Sequence, residues 1–459
     1  YWLDAEQKVV LGHRRLSIVD LSVNGAQPMK SANERYMIVF NGEIYNYKDL
    51  EQRLRQDSCE LHLRGSSDTE VILEAFSFYG VEKTLSLMKG MFAIALYDRR
   101  ENQLYLMRDR VGEKPLYYGM VNGSFAFASD IECIRQMEGF ANEVNTDTFP
   151  LYFQYGYIPA PYSIYQDIYK LEPGKYLTLN CHTLEYRMQT YWSMIETALD
   201  GQRNPFTGSE KEASEELERL LKEAIKGQMI ADVPLGAFLS GGIDSSLVVS
   251  LMQSLSHDKV KTFTIGFDVD KYDEAKYAKE IAAHLGTEHT ELYVTSQDAF
   301  AIMRHMTDSF TEPFADSSQI PTMLVSKMTR ERVTVALSGD AGDELFCGYT
   351  TYMVAEEEMR KFRKRFHQIP ASLRHGAAKI GAALAGPFTP TLYKVGNYLA
   401  IDTMEQAHAD MGLEDARTAF LAGRGRKLTD AYHNYQGGLL KEPVQNLMLM
   451  DMLQYHPDD

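Results

Sequence analysis

The sequence predicts two folded units of different class on one chain. The first is an α+β antiparallel sandwich. The second is an α/β doubly wound parallel sheet with a helical C-terminal part. Three observations carry this expectation. Apolar runs in the first third are broken by tight-turn residues. Beyond about Asn204, strand-like and helix-like segments alternate. Two glycine–aspartate loops follow two of those later strands. The boundaries read as residues 1–185 for the first unit and 205–459 for the second.

In the first unit, Met91 to Asp98 and Gln103 to Asp109 are β-rich runs around a polar turn. The runs PLYYGMV and SFAFAS flank Asn122-Gly123. Asn-Gly between two such runs signals a hairpin, because a type I′ turn needs positive φ at both central residues. Between Asp49 and Tyr79 the pattern turns helical twice. The segment NPFTGSEKEASEE then reads as a linker and a helix capped near Ser209 or Ser214.

Further on, GAFL is a short apolar strand, and Leu247, Val248, Leu251, Met252 and Leu255 form a helical stripe. KTFTIGF puts Phe263, Ile265 and Phe267 on one face of a strand. Ala275, Ala278, Ile281, Ala282 and Leu285 make another helix, HTELYV a strand, and Arg332 to Leu337 one more. Strands alternating with helices imply a parallel sheet, whose ligands bind at the carboxyl ends of the strands. The loops SGGIDSS and SGDAGDE sit at that edge. From Val354 onward the chain reads as mostly helical without a chemical motif, and KFRKRFH as a solvated helix face.

Composition bounds the function. A net charge of −17 argues against general nucleic-acid binding, though not against a small anion held locally. The longest weakly polar run, Gly376 to Phe388, is too short for a bilayer and carries Lys379, so no membrane role is expected. No secretory signal opens the chain, and Cys59, Cys133, Cys181 and Cys347 form no C-x-x-C pair. That pattern fits a reducing, cytoplasmic setting. The chain opens on Tyr1 in strand-like sequence and stops at YHPDD in mid-pattern, so segments are expected beyond both ends.

SGGIDSS resembles a phosphate loop, yet the chain has no G-x-x-x-x-G-K-[ST] run. A glycine loop entering a helix still offers backbone N–H groups to an anion. Without a lysine, the extra phosphate charge falls to a metal. Asp244 could hold Mg²⁺, and the second loop adds Asp340, Asp343 and Glu344. On spacing alone, two ordinary strand–helix turns remain the alternative.

Longer motifs narrow the reading. SGGIDSS is similar to the pyrophosphate loop of the N-type ATP pyrophosphatases. With LGAFLSGGIDSSLV, KTFTIGF, EPFADSSQIPT and LSGDAGDELFCGY, the second half resembles the synthetase domain of glutamine-dependent asparagine synthetases. GHRRLSIVDLS, QPM, FNGEIYNY, GSSDTEVIL, GMFAIALYD, RDRVGEKPLYYG and FASDIE resemble their class II glutamine amidotransferase domain. The matches run from Leu11 to Tyr349 in the family's order.

The resemblance implies roles. Arg15 would pair the glutamine α-carboxylate, and Glu43 and Asp68 its α-ammonium. Asn41 and the N–H of Gly42 would form an oxyanion hole. Ser240, Gly241, Gly242, Asp244, Ser245 and Ser246 would cradle pyrophosphate, with Asp244 and Asp343 on Mg²⁺. Leu239, Thr264, Ile265, Gly266, Ser338 and Gly339 would border the rest of ATP. Asp340 would sit beside the activated carboxylate and position ammonia or take its proton. The implied reaction amidates aspartate to asparagine through β-aspartyl-AMP, using ammonia from glutamine and releasing AMP and pyrophosphate. An alternative keeps both domains and amidates another carboxylate, such as a surface-polysaccharide sugar acid. A homodimer is left open.

The family's nucleophilic cysteine would lie upstream of Tyr1, and its later lysine segment beyond Asp459. The four cysteines present read as structural thiols, and residues 1–459 alone are expected to show no glutaminase activity and little synthesis. Three departures stand out. Ala341 and Cys347 occupy usual glycine positions, where a small side chain is expected to fit, and Thr311 stands where aspartate is common.

Overall fold

The computed structural model describes residues 1–57, 61–267, 274–366, 368–385, 391, 395–396, 399–411, 428–435 and 438–458. Cys59 lies outside them.

The first unit is built on a six-stranded antiparallel sheet. Its order is Tyr186–Thr190, Lys175–Asn180, Gln103–Arg108, Gly90–Asp98, Tyr36–Ile44 and Met29–Lys30. A three-stranded sheet, Ser124–Ala128, Tyr117–Val121 and Ile168–Lys170, lies against it. The central strands read as unbroken apolar runs because both faces are covered. On one face, Ile38, Phe40, Phe92 and Ile94 pack with Val71, Ile72 and Phe76 of the helix Asp68–Tyr79. On the other, Val39, Ala93 and Tyr97 meet Tyr118, Phe125 and Tyr169 of the smaller sheet. Alternate residues of that sheet, Tyr117, Val121 and Ile168, turn outward onto Ile131 and Ile134 of a short helix. The result is four layers, helix–sheet–sheet–helix, each following from the two-residue period of its strands. The Asn122-Gly123 turn has φ of 45° and 76°, as the hairpin signal requires.

The second unit carries a four-stranded sheet in the order Glu288–Val294, Lys261–Phe267, Leu235–Phe238 and Val335–Leu337, every neighbour parallel. Helices cover both faces. Val249, Met252, Ala278 and Ala282 lie on one side with Ile225 of the long helix Glu210–Gln228. Met328 and Val325 lie on the other side against Phe263 and Ile265. The long helix starts at Ser209, where Ser209 and Glu212 cap each other reciprocally. The strand order reverses at Leu235–Phe238, so a crevice opens between its carboxyl end and that of Val335–Leu337.

The C-terminal part is helical. Tyr352, Met404, Leu447 and Met450 form its core. Met194 and Leu199 of the helix Met194–Arg203 pack onto it, so the segment before the linker leaves the first unit and buttresses the second. No helix among the described residues is long and apolar enough to cross a membrane.

Candidate active sites

The first site lies at the end of the central strand Tyr36–Ile44. Gly42 is needed there: a Cβ would stand 2.1 Å from the Met91 carbonyl oxygen. The neighbouring Asn41 amide donates to Ser129 Oγ at 3.0 Å. Glu43 is buried, and its Oε1 has no hydrogen-bond partner among the described residues. Burial first, then the charge of Asp68, raises its pKa to about 7. Asp68 opens the Asp68–Tyr79 helix and is also buried. Its two oxygens accept from Ile44 N at 3.0 Å and Thr69 N at 2.8 Å. Burial nevertheless raises it to about 6, against those two hydrogen bonds and the charge of Arg15. Two buried carboxylates with one oxygen unsatisfied make a receptor for a cation bearing hydrogen-bond donors.

Arg15 stands close enough to lower the pKa of Asp68. Its Nη2 donates to the carbonyls of Val19 at 2.8 Å and Asp20 at 2.6 Å, so it also shapes its own loop. Asp232 of the second unit holds that loop from outside. It accepts from Asp20 N at 2.8 Å and donates its own N–H to Ile18 O at 2.9 Å.

The second site is the crevice at the parallel sheet's switch. Leu239, the segment Thr264, Ile265 and Gly266, and the pair Ser338 and Gly339 end or follow three adjacent strands and so meet at one edge. Gly241 has φ of +88°, and a Cβ there would stand 2.8 Å from Tyr277 Cβ, so only glycine fits. Gly242 caps the helix Ile243–Leu255 without a side-chain cap, leaving its first N–H groups facing the crevice. The serines hold the loop in shape. Ser245 Oγ accepts from Ser240 N at 3.2 Å, and Ser246 Oγ donates to Gly242 O at 2.6 Å.

The two loops touch. A Cβ on Gly342 would stand 2.7 Å from Asp244 Oδ1, and one on Gly339 would stand 2.9 Å from Ser245 N. Asp343 faces Asp244, and burial followed by Asp244's charge raises the pKa of Asp343. Two facing carboxylates without a cationic partner among the described residues suit a hard cation. Among the described residues no cluster of three His, Cys, Asp or Glu side chains could hold a metal. The pair therefore fits Mg²⁺ only if phosphates and water complete the shell. Ser338 Oγ donates to Asp340 Oδ2 at 2.7 Å, and Glu344 is buried against the Tyr349 hydroxyl at 2.8 Å.

Ala341 and Cys347 both adopt left-handed backbone, with φ of 67° and 61°. Backbone conformation, not side-chain space, is what favours glycine there.

A third feature carried no motif signal. Between the units lies a cavity of about 330 Å³, lined in part by Ser129, Asp130, Thr311, Glu312 and Lys170. Glu312 accepts from the Tyr117 hydroxyl at 2.8 Å and from Ile164 N at 2.7 Å, and pairs with Lys170 at 3.2 Å. Asp458 pairs with the same lysine at 3.8 Å. FASDIE contains Asp130, and EPFADSS begins at Glu312, next to Thr311, but nothing in either motif says that they meet. Among the described residues Cys133, Cys181 and Cys347 are free thiols, and burial raises the pKa of Cys133 and of Cys181, the latter to about 11. Neither of those two is activated as a nucleophile.

Residues 1–192 match the family model for a glutamine amidotransferase domain, and residues 216–459 the model for asparagine synthase. A Methanocaldococcus jannaschii protein provisionally named glutamine-hydrolyzing asparagine synthetase 2 is 35% identical over 88% of this chain and 79% of its own length. Asparagine synthetase 1 of Bacillus subtilis is 33% identical over 83% of this chain, which spans 57% of it. An amidase, chry2, of Gibberella zeae is 28% identical over 76% of this chain and 53% of its own length.

Proposed function

The chain belongs to the asparagine synthase family, and on that footing we propose that it makes asparagine from aspartate, taking ammonia from glutamine and activating the acceptor with ATP. The observation that carries the reading is the junction of the two loops. A lysine-free glycine loop and two facing carboxylates, Asp244 and Asp343, meet at the switch of a parallel sheet.

In the first site Glu43 and Asp68 bind the glutamine ammonium and Arg15 its carboxylate. The second N–H of the Asn41 amide, with the Gly42 N–H, stabilises the oxyanion.

In the second site the Gly242 helix end and Ser240, Ser245 and Ser246 hold the β and γ phosphates. Asp244 and Asp343 would hold Mg²⁺, which when bound offsets phosphate charge. The acceptor's carboxylate oxygen attacks the α-phosphorus, the α–β bond breaks, and pyrophosphate leaves. Ammonia then attacks the acyl carbon, the acyl–phosphate bond breaks, and AMP leaves. Asp340, oriented by Ser338, takes the proton that ammonia loses. Such chemistry belongs with a cytoplasmic nucleotide pool.

The test is product identity. Full-length protein with aspartate, ammonium and Mg-ATP should release AMP and pyrophosphate in step with asparagine. ADP and orthophosphate as direct products would contradict the reading. Product formation with another carboxylic acid but not aspartate would keep the chemistry and move the acceptor, an option that the amidase relative keeps open.

A further inference from the structure

We propose that Ser129 is a positioning residue for the Asn41 amide, and that Thr311, acting through Asp130, ties this setting to the ATP-using side of the chain. The proposal rests on reading Asn41 as an oxyanion donor.

A primary amide has two N–H bonds. One of Asn41's is held by Ser129 Oγ at 3.0 Å, which fixes the amide plane and thereby aims the other. An oxyanion hole depends on such prior aim, because a donor that must reorient in the transition state loses much of its benefit. Ser129 is therefore the nearest support of that donor.

Ser129 is not supported by its own unit alone. The adjacent Asp130 accepts through one oxygen from both Glu132 N at 2.8 Å and Thr311 Oγ1 at 2.8 Å. Thr311 belongs to the second unit. Its loop is anchored on the first at two further points: Glu312 on Tyr117, Ile164 and Lys170, and Ala315 N on Gly156 O at 2.8 Å. The loop's other end is held by Gln319, whose amide donates to Phe314 O at 3.3 Å. Gln319 opens the helix Gln319–Arg330, which packs on the parallel sheet through Met328 and Phe263. The contacts thus run without a gap from the sheet beneath the nucleotide crevice to Asn41. Any change in that helix or loop when substrates bind the crevice bears on the Asp130–Ser129 peptide.

The arrangement also accounts for Thr311. An aspartate at this place would set a second carboxylate against Asp130, whereas the threonine hydroxyl donates to it.

The experiment measures glutamate release by the full-length protein, with and without Mg-ATP and aspartate. Ser129→Ala should lower kcat for glutamine about tenfold, less than the ~10²–10³ of deleting an oxyanion donor. It should leave KM within twofold and ammonia-dependent synthesis unchanged, which also shows that the variant folds. Ser129→Thr, which keeps the hydroxyl, should retain kcat. Substrates of the crevice should change wild-type glutaminase kcat by about fivefold or more, the usual size of coupling between sites. Thr311→Val should keep basal glutaminase and lose that response, and Thr311→Ser should restore it. A Ser129→Ala kcat within twofold of wild type overturns the positioning role. A wild-type rate indifferent to Mg-ATP and aspartate, or a Thr311→Val response equal to wild type, overturns the tie. If aspartate drives no AMP formation, the functional reading fails separately, and the Ser129 comparison still decides the positioning role.

Discussion

The two sites recognise charge in opposite ways. The pocket proposed for glutamine lies in a four-layer sandwich, and the groups proposed to recognise it are buried carboxylates on regular elements, Glu43 on a strand and Asp68 at a helix start. Their raised pKa values record the cost of holding anions out of water, which the nearby charges of Arg15 and Lys114 only partly offset. The nucleotide-side crevice is the reverse. It is an open sheet edge where loops present backbone N–H groups, and Gly339 and Gly342 are dictated by contact between the loops. A cation with fixed donors rewards a rigid, dry pocket. A triphosphate whose charge is shared with a metal is met by an open edge, two carboxylates and a helix end. On the proposed reading the sandwich releases ammonia and the doubly wound sheet uses it.

Breaking one side and not the other tests this contrast. The largest effect should come from Asp244→Asn. Synthesis should fall at least about 10²–10³-fold, the scale of losing one preorganised electrostatic group, while glutamate release persists. Equal loss of both activities would undo the separation. Next is Arg15→Ala. Losing a charge-assisted contact of about 1.5–3 kcal/mol should raise the glutamine KM roughly 10- to 100-fold. Ammonia-dependent synthesis should stay near wild type. Loss of both would make Arg15 a loop organiser, the role its bonds to Val19 and Asp20 already give it.

Glu43 gives a pH-dependent test. With its pKa raised to about 7, the carboxyl is neutral below that value and charged above it. Only the charged form pairs with an ammonium, so the glutamine KM should fall as pH rises from 6 to 8. Glu43→Gln should raise KM and flatten this profile. A raised acid stabilises the fold at low pH and loses that contribution as pH passes its folded pKa. The same variant should therefore raise Tm at pH 8 and leave it unchanged at pH 4.

The smallest effect is on stability alone. Cys347→Gly and Ala341→Gly should each relieve about 1 kcal/mol of left-handed strain, partly offset by the entropy of a freer unfolded chain. Tm should rise by about 1–3 °C for Cys347→Gly, read by calorimetry. A fall would mean that the cysteine makes a packing contribution.

Legibility followed the range of the interactions. The Asn122-Gly123 hairpin, the capped helix start, read at Ser209 or Ser214 and found at Ser209, and the strand–helix alternation were legible because each is set by neighbours within a few residues. SGGIDSS was plain as a glycine loop between a strand and a helix, although Gly241 answers to Tyr277 of another helix, and the pairing of Asp244 with Asp343 was implied by the family resemblance alone. Two things were not legible. Ala341 and Cys347 read as questions of side-chain size, although φ decides them. The interface of Tyr117, Lys170, Glu312 and Asp458 joins residues hundreds of positions apart, so no window of sequence contains it. Ser129 falls in the same class: it was quoted within FASDIE, but only the fold sets it on Asn41.

In the proposed reaction ATP adenylates a carboxylate, and ammonia then displaces AMP from the acyl group. The direct measurement uses aspartate carrying ¹⁸O in its side-chain carboxyl, with Mg-ATP and glutamine, followed by mass spectrometry of the nucleotide product. The account predicts one labelled oxygen in the phosphate of AMP for each asparagine formed, and none in pyrophosphate. Unlabelled AMP alongside labelled orthophosphate, or label appearing only in ADP-linked products, would contradict it.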